Sequence, residues 1–230
     1  LHRLQSGIAV PSEITGWCDF KDFYRNLAMI IKDGSTFVEI GSWMGQSAIR
    51  KQRRNRTWRH PDLDDRLGRR RMIAEARLLV RLYRSGLNVP LLLDCDMFDQ
   101  QLVMSYVQGK PLIEILNDTS IPDDEVMEIL KNTGQSIRML HRQAVVHGDL
   151  STNNIIITSE NEAVLIDFGL ARIEYETELF GIDLHVLFEI LGASHPHRKD
   201  AIEAVLEGYA ACEEIYGPAE NTPGGQPVGM

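Results

Sequence analysis

Apolar positions recur at helical spacing in some segments of the chain and form short runs typical of strands in others. The helical spacing predicts helices over 19–31, 62–85, 111–117, 122–142, 179–192 and 197–215. The short runs predict strands over 35–40, 47–51, 90–95 and 101–107, and a hairpin of 154–158 with 163–167. Strands and one long helix therefore come first and helices dominate later, which predicts an α+β fold of a small mixed lobe followed by a mainly helical lobe.

The predicted hairpin carries polar side chains at both of its ends. Asn154 stands at its entry and Asp167 at its exit, and a tight hairpin brings such residues together. An oxygen pair of this kind suits Mg²⁺, which takes its remaining ligands from water and phosphates. Asp149, five residues before Asn154, is placed to orient a hydroxyl or a water and to accept its proton. Gly169 is expected to permit the backbone turn that aims the Asp167 carboxylate inward.

Composition argues against a membrane protein and against a metal-cluster protein. No apolar run approaches the ~20 residues that span a bilayer. The start of the chain lacks the apolar block of a secretory signal, so we expect a cytoplasmic protein. The three cysteines lie far apart in no zinc-binding spacing, and we expect reduced thiols.

Positive charge is concentrated in one stretch, 50–71, although the chain carries a net charge of −9. Its basic residues are Arg50, Lys51, Arg53, Arg54, Arg56, Arg59, Arg66, Arg69, Arg70 and Arg71. One interpretation is a solvated loop and helix face. The other is an anion-binding surface for nucleotide, RNA or an acidic partner.

The segment "HGDLSTNN" followed by "DFG" at 167–169 resembles the catalytic loop and metal-binding turn of the protein-kinase superfamily. Each motif alone is weak, but their order and β-rich spacer make the pair specific. The resemblance implies ATP and Mg²⁺ as cofactors, with Asp149 catalytic and with Asn154 and Asp167 holding the metal. His147 is expected to pack and hydrogen-bond the loop rather than to transfer protons.

Upstream motifs resemble one family, the small atypical kinase/ATPase subunit of the KEOPS complex, also called the p53-related protein kinase family. The motifs are a strand Lys, Arg-His-Pro at 59–61, Leu-Asp at 63–64, the arginine run 69–71 and Glu-Ala-Arg at 75–77. "MSYVQGKPL" (104–112) is similar to the family hinge, and "GIDLHVL" (181–187) to the helix after DFG. The resemblance covers residues 49–216.

This resemblance assigns further roles residue by residue. Lys51 would bind the nucleotide phosphates, Glu75 would pair with Lys51, and Asp183 would accept backbone N–H bonds from the catalytic loop. The short span between Gly169 and the next helix implies a minimal kinase-like two-lobe fold without a long activation segment. The implied activity is ATP hydrolysis or limited Ser/Thr phosphorylation, serving threonylcarbamoyladenosine (t6A) synthesis on tRNA. The implied partner is a Kae/Tsa-type catalytic subunit, with tRNA as a possible ligand of 50–71.

Two alternatives stay open for the function. A small-molecule phosphotransferase of the aminoglycoside or choline kinase type shares "HGDL…N…IDFG" but not the motifs at 59–77. A pseudokinase scaffold is favoured by an incomplete phosphate-covering loop, since the span from Gly45 to Lys51 is too short for a returning strand together with the Lys strand. The intact set of polar residues argues against a scaffold.

The beginning of the chain is predicted to be atypical. Residues 13–48 resemble the start of a class I S-adenosylmethionine-dependent methyltransferase, with Glu39, Gly41 and Gly45 at that motif's positions, but no further parallel strands follow. We therefore expect no methyltransferase activity, and loose packing of residues 1–46. The predicted organisation is an atypical segment 1–48, a small lobe 49–107, a helical lobe 108–216 and a disordered tail 217–230.

Overall fold

The computed structural model of the chain describes residues 17–19, 36–53, 56 and 58–216. Two compact units follow each other along the chain, Leu1–Val107 and Gln108–Met230. The predicted helix over 19–31, apart from Asp19, lies outside the described residues, as do Arg54 and the predicted disordered tail 217–230. The α+β fold predicted from the sequence is confirmed, because the first unit is built on a sheet and the second is mainly helical.

The first unit combines antiparallel strands with one long helix. Its elements are β1 (Trp17–Asp19), β2 (Thr36–Trp43), β3 (Gln46–Arg53), α1 (Pro61–Arg84), β4 (Leu92–Asp96) and β5 (Gln101–Ser105). The strands form one sheet in the order β1-β2-β3-β5-β4, and every described pairing is antiparallel. Asp19 lies in β1 and not at a helix start, since its backbone pairs with Gly41 of β2.

A two-residue turn joins β2 directly to β3, the strand that carries Lys51. Met44 and Gly45 have φ of 47° and 83°, as a tight hairpin turn of the type I′ class requires. The pairing then continues without a break to Thr36 and Arg53. As the spacing predicted, a single strand, β3, follows Gly45. The expectation that the strands ahead of the Lys51 strand are missing was wrong, because β1 and β2 precede the turn and β2 pairs with β3. The expected loose packing is also wrong for residues 36–46, which are part of the sheet.

The antiparallel β2–β3 hairpin is incompatible with the methyltransferase fold that residues 13–48 resemble. Glu39 pairs in register with Arg50 across the two strands, and their side chains form an ion pair. A class I methyltransferase would need this strand to be parallel to its neighbours and followed by a helix. The local similarity therefore does not extend to the fold, and the sheet of the first unit begins before residue 49.

Helix α1 covers one face of the sheet. Pro61 at its first position and Asp62 and Asp64 in its first turn favour its start, and Gly86 follows its end with φ of 82°. Its buried face packs Met72 and Ala76 against Leu102 of β5. The opposite face is exposed and rich in arginine.

The second unit consists of helices around short strands. Its elements are β6 (Lys110–Pro111), α2 (Leu112–Asn117), α3 (Asp123–Arg142), β7 (Val145–Val146), β8 (Ile155–Ile157), β9 (Ala163–Leu165), a 3-10 turn (Phe168–Leu170), β10 (Arg172–Ile173), α4 (Thr177–Ser194) and α5 (Ala201–Tyr216). β8 and β9 form the predicted hairpin, with β6 on the outer side of β8. The core is filled by fully buried Leu116, Leu130, Ile137, Leu140 and Phe168.

Helices α3 and α5 approach each other closely at two glycines. A Cβ added at Gly134 would meet the Val205 carbonyl oxygen at 2.1 Å, and one at Gly208 would meet the Lys131 carbonyl oxygen at 1.9 Å. Glycine inside a helix costs about 1 kcal/mol relative to alanine. The close backbone approach explains both glycines and fixes which side chains of the two helices can touch.

None of the helices in the described ranges is both long enough and apolar enough to cross a membrane.

Candidate nucleotide and metal site

The β8–β9 hairpin brings Asn154 and the residue before Asp167 into contact. Ile155 pairs with Leu165, and the Ile166 N–H donates to the Asn154 carbonyl oxygen at 3.0 Å. The apolar runs on both strands are buried, so the hairpin is held by the core. The polar ends predicted to be neighbours are neighbours at the backbone level.

Asn154 holds Asp149 in place. Its Nδ2 group donates to the Asp149 carbonyl oxygen at 2.8 Å and to the Asp149 carboxylate at 2.9 Å. Asn154 is buried, with only 1% of its surface exposed, whereas Asp149 is half-buried. The amide therefore orients a carboxylate that solvent and a substrate can reach.

Asp167 lies in the left-handed region, with φ of 62° and ψ of 70°. Its carboxylate accepts a hydrogen bond from the Gly169 N–H at 3.3 Å. The unusual backbone conformation was expected at Gly169, but the structure places it at Asp167 itself. Asp and Asn are the non-glycine residues that enter this region most readily, so the strain at this position is modest. Gly169 contributes its N–H group, and Phe168 anchors the turn in the core.

His147 is a structural residue of the loop. It is fully buried, its Nε2 lies 3.0 Å from the Ile166 carbonyl oxygen, and its ring packs 5.1 Å from that of Phe168. Because a carbonyl only accepts, Nε2 carries the hydrogen. Burial lowers the pKa of His147, so the ring is neutral at pH 7. It ties the start of the loop that carries Asp149 to the strand end before Asp167.

Asp183 of α4 holds the backbone of His147 and Gly148 by two hydrogen bonds, an arrangement called here the Asp183 clamp. One carboxylate oxygen accepts the His147 N–H at 2.6 Å and the other accepts the Gly148 N–H at 2.9 Å. Burial opposes its charged form, but hydrogen bonds from the His141 ring and from the Gly148 and His147 N–H groups hold the pKa of Asp183 below its usual range. Gly148 has φ of 78°, and a Cβ there would meet the Leu170 carbonyl oxygen at 2.7 Å. The backbone immediately before Asp149 is thus fixed.

In the first unit, Lys51 of β3 forms an ion pair with Glu75 of α1. The Lys51 Nζ lies 2.7 Å from the Glu75 carboxylate, and both side chains are largely buried. A carboxylate in this position keeps the long ammonium side chain extended. The pair that the family resemblance implied is therefore formed in the structure.

Several side chains of the basic stretch 50–71 are already paired with carboxylates. Besides Lys51 and Arg50, the Arg59 guanidinium lies 3.2 Å from Asp64, and that of Arg69 lies 2.9 Å from Asp65. These pairs fix Arg59 and the first turns of α1. The exposed arginines instead lie on the outer face of α1.

The donors present fit a magnesium ion that is shared with phosphates. Among the described residues, no group of three or more His, Cys, Asp or Glu side chains could hold a metal by itself. Mg²⁺ commonly takes one or two protein oxygens and completes its shell with waters and phosphate oxygens. The Asn154 amide oxygen and the Asp167 carboxylate supply that number.

Sequence reasoning missed three residues that support the site: Gly148, His141 and Tyr209. Gly148 could have been found, because it directly precedes a loop Asp. His141 and Tyr209 carry no local motif, and only the packing of α3 on α5 brings them together.

Comparison with known proteins agrees with this geometry. Residues 45–183 match the RIO domain. The chain is 32% identical to the mouse EKC/KEOPS complex subunit Tp53rkb, over 85% of this chain and 83% of that protein. It is 36% identical to the KEOPS complex subunit Bud32 of Pyrococcus abyssi, over 70% of this chain and 72% of the relative.

A third relative covers a larger share of this chain. A probable bifunctional tRNA threonylcarbamoyladenosine biosynthesis protein of Methanothermobacter thermautotrophicus is 34% identical over 91% of this chain and 35% of its own length. Part of residues 1–48 is therefore shared with this relative.

Proposed function

We propose, because the chain belongs to the RIO-domain family and to its group of KEOPS kinase-like subunits, that it is an ATP-dependent kinase or ATPase that supports t6A formation on tRNA. We further propose that it acts within a KEOPS-type complex, beside a Kae/Tsa-type catalytic subunit. The observation that carries the proposal is the double hydrogen bond from Asn154 to Asp149, at the entry of the hairpin whose exit bears Asp167.

Each polar residue has a role that its surroundings support. The Asp149 carboxylate orients the attacking hydroxyl, of a serine or threonine or of water, and accepts its proton. Asn154 and Asp167 would hold Mg²⁺, which when bound neutralises charge on the phosphates of ATP. The Lys51 ammonium binds phosphate oxygens and is kept extended by Glu75. Phosphoryl transfer depends mostly on such positioning and charge, so prearranged side chains serve it well.

The test is ATP turnover with Mg²⁺, measured alone and with the Kae/Tsa-type subunit. Replacing Asp149 with Asn keeps the shape of the side chain but removes the base, and general bases contribute about 10²- to 10⁴-fold. Glu160→Gln removes one charge from an exposed loop and serves as the matched control. Equal turnover by Asp149→Asn and Glu160→Gln would refute the proposed role.

The alternatives receive less support. The relatives named above are KEOPS or tRNA-modification proteins, which gives no support to a small-molecule phosphotransferase. The Lys51–Glu75 pair and the Asn154–Asp149 bonds are an arrangement that phosphoryl transfer requires, which favours an active enzyme over a scaffold. A cytoplasmic location remains a prediction.

The outer face of α1 is the part of the basic region that we propose for tRNA binding. Its exposed arginines are Arg66, Arg70, Arg77, Arg81 and Arg84, whose spacing of four, seven, four and three residues places them on one helix face. They extend over about 27 Å, and the face continues beyond the stretch 50–71. From 66 to 84 the helix has one carboxylate, Glu75, which is buried and paired with Lys51. Like charges at this spacing repel, so a bound polyanion would stabilise the face.

A charge-matched pair of triple variants tests this surface. One variant carries Arg70→Gln, Arg77→Gln and Arg84→Gln, and the control carries Lys110→Gln, Arg172→Gln and Lys199→Gln, all in the second unit. With an unmodified tRNA transcript, the first variant should reduce the slope of log affinity against log salt by about 2 to 3. The control should keep the slope of the wild type. Equal slopes for the two variants would assign this face to solvent or to a protein partner.

A further inference from the structure

A chain of hydrogen bonds runs from α5 through α3 and α4 to the catalytic loop. The Tyr209 hydroxyl lies 2.8 Å from Nδ1 of His141, and Nε2 of the same ring lies 3.3 Å from the Asp183 carboxylate. Arg138 donates to the Tyr209 hydroxyl at 3.2 Å. Asp183 in turn accepts the N–H groups of the two residues before Asp149.

The chemistry of the groups sets the direction of the hydrogen bonds at both ends of this chain. Arg138 only donates, so the Tyr209 oxygen accepts from it, and the same hydroxyl is the hydrogen-bond partner of Nδ1 of His141. The Asp183 carboxylate only accepts, so Nε2 of His141 carries a hydrogen and donates it to Asp183. The chain therefore fixes the orientation of the His141 ring in which Nε2 donates to Asp183.

Packing leaves this arrangement little freedom. The His141 side chain is fully buried, with the Phe180 ring 4.9 Å away on one side and the Tyr209 ring 5.6 Å away in an edge contact. Gly208, next to Tyr209, allows α5 to touch the backbone of α3. A larger residue there would move the hydroxyl away from the histidine.

We propose that Tyr209 is a positioning residue for the catalytic loop, acting through His141 and Asp183. The proposal rests on the function proposed above, because it concerns the placement of Asp149. Without the hydroxyl, Nδ1 of His141 loses this hydrogen-bond partner, and the ring is no longer held in the orientation in which Nε2 donates to Asp183. The clamp on the His147 and Gly148 N–H groups then loosens, and the Asp149 carboxylate is less well placed.

The test uses Tyr209→Phe, which removes a single oxygen, and Tyr175→Phe, the same change at an exposed position. Tyr209→Phe should lower kcat for Mg²⁺-dependent ATP turnover by about three- to tenfold, the effect of one hydrogen bond, with KM for ATP unchanged. Hydrogen exchange at His147 and Gly148 should become faster in the same variant. Tyr175→Phe should match the wild type in all three measurements.

Two results would overturn the proposal. One is a Tyr209→Phe protein with wild-type kcat and wild-type exchange at His147 and Gly148, while Asp149→Asn is inactive. The other is a ¹⁵N spectrum of the wild-type protein in which Nε2 of His141 carries no hydrogen, a measurement that needs no variant to fold. If Asp149→Asn is fully active instead, it is the proposed function that fails, and the exchange measurement still tests the clamp.

Discussion

The ion pair between Lys51 and Glu75 leads to a sharp prediction for stability. Glu75→Ala removes the carboxylate and leaves the Lys51 ammonium in a site where its side chain is only 13% exposed. Breaking a buried pair from one side costs about 3–5 kcal/mol, because the remaining charge is no longer compensated. The partial exposure of Lys51 places the expected loss near the lower end, about 3 kcal/mol in the free energy of unfolding.

The matched control is Glu207→Ala, which breaks a Lys–Glu pair on the surface of the second unit. The Lys131 Nζ lies 3.1 Å from the Glu207 carboxylate, but 62% of the Glu207 side chain is exposed. Exposed pairs contribute about 0.2–1 kcal/mol, so this variant should stay close to the wild type. The double variant Lys51→Met/Glu75→Leu should recover most of the loss, since no charge stays buried.

Urea unfolding followed by circular dichroism measures all of these variants. A loss for Glu75→Ala no larger than that for Glu207→Ala would refute the reasoning, because it would mean that the Lys51–Glu75 pair is solvated. The same variant should raise KM for ATP, since Lys51 would no longer be held extended.

Three further predictions concern stability and ligand binding. Gly208→Ala should lower the melting temperature in spite of the better helix propensity of alanine, because the new Cβ meets the Lys131 carbonyl oxygen. Its control is Gly181→Ala, which has open space around the new Cβ and should raise stability by about 0.5–1 kcal/mol. Burial lowers the pKa of His147 and also that of His195, where the charges of His197 and Arg198 add to the effect. The folded state therefore binds fewer protons than the unfolded state, so thermal unfolding should show stability falling as the pH drops below about 6.5. The decrease should be less steep for His195→Phe. Calorimetry should detect no binding of S-adenosylmethionine, because Glu39 is paired with Arg50 in an antiparallel hairpin, and micromolar binding would contradict this account.

The sequence predicted most of the second unit because its signals are local. Asp149, Asn154 and Asp167 are connected by one short hairpin, so their proximity follows from the spacing of apolar runs. The long helix α1 was equally clear, since Pro61 and Gly86 mark its ends. Such features depend on few residues that are close in the chain.

What the sequence could not predict depends on contacts between distant segments or on single backbone angles. The left-handed conformation at Asp167 and the turn at Met44 and Gly45 each depend on the backbone dihedral angles of one or two residues. The bond from Tyr209 to His141 exists only because glycines let α5 approach α3. The pattern of apolar and polar residues along the chain indicates neither these backbone angles nor the contact between α5 and α3.

The central claim is that Asn154 and Asp167 hold the metal for ATP turnover directed by Asp149. The most direct measurement is the Mg²⁺ dependence of ATP hydrolysis by Asp167→Asn, because Asn tolerates the left-handed backbone and removes only the charge. Asp167→Ala should be equally inactive, and Asp124→Asn, an exposed residue of α3, is the control. The account predicts that turnover at saturating Mg²⁺ falls by about a hundredfold or more in Asp167→Asn, with an unchanged melting temperature. Undiminished turnover by a correctly folded Asp167→Asn protein would contradict it.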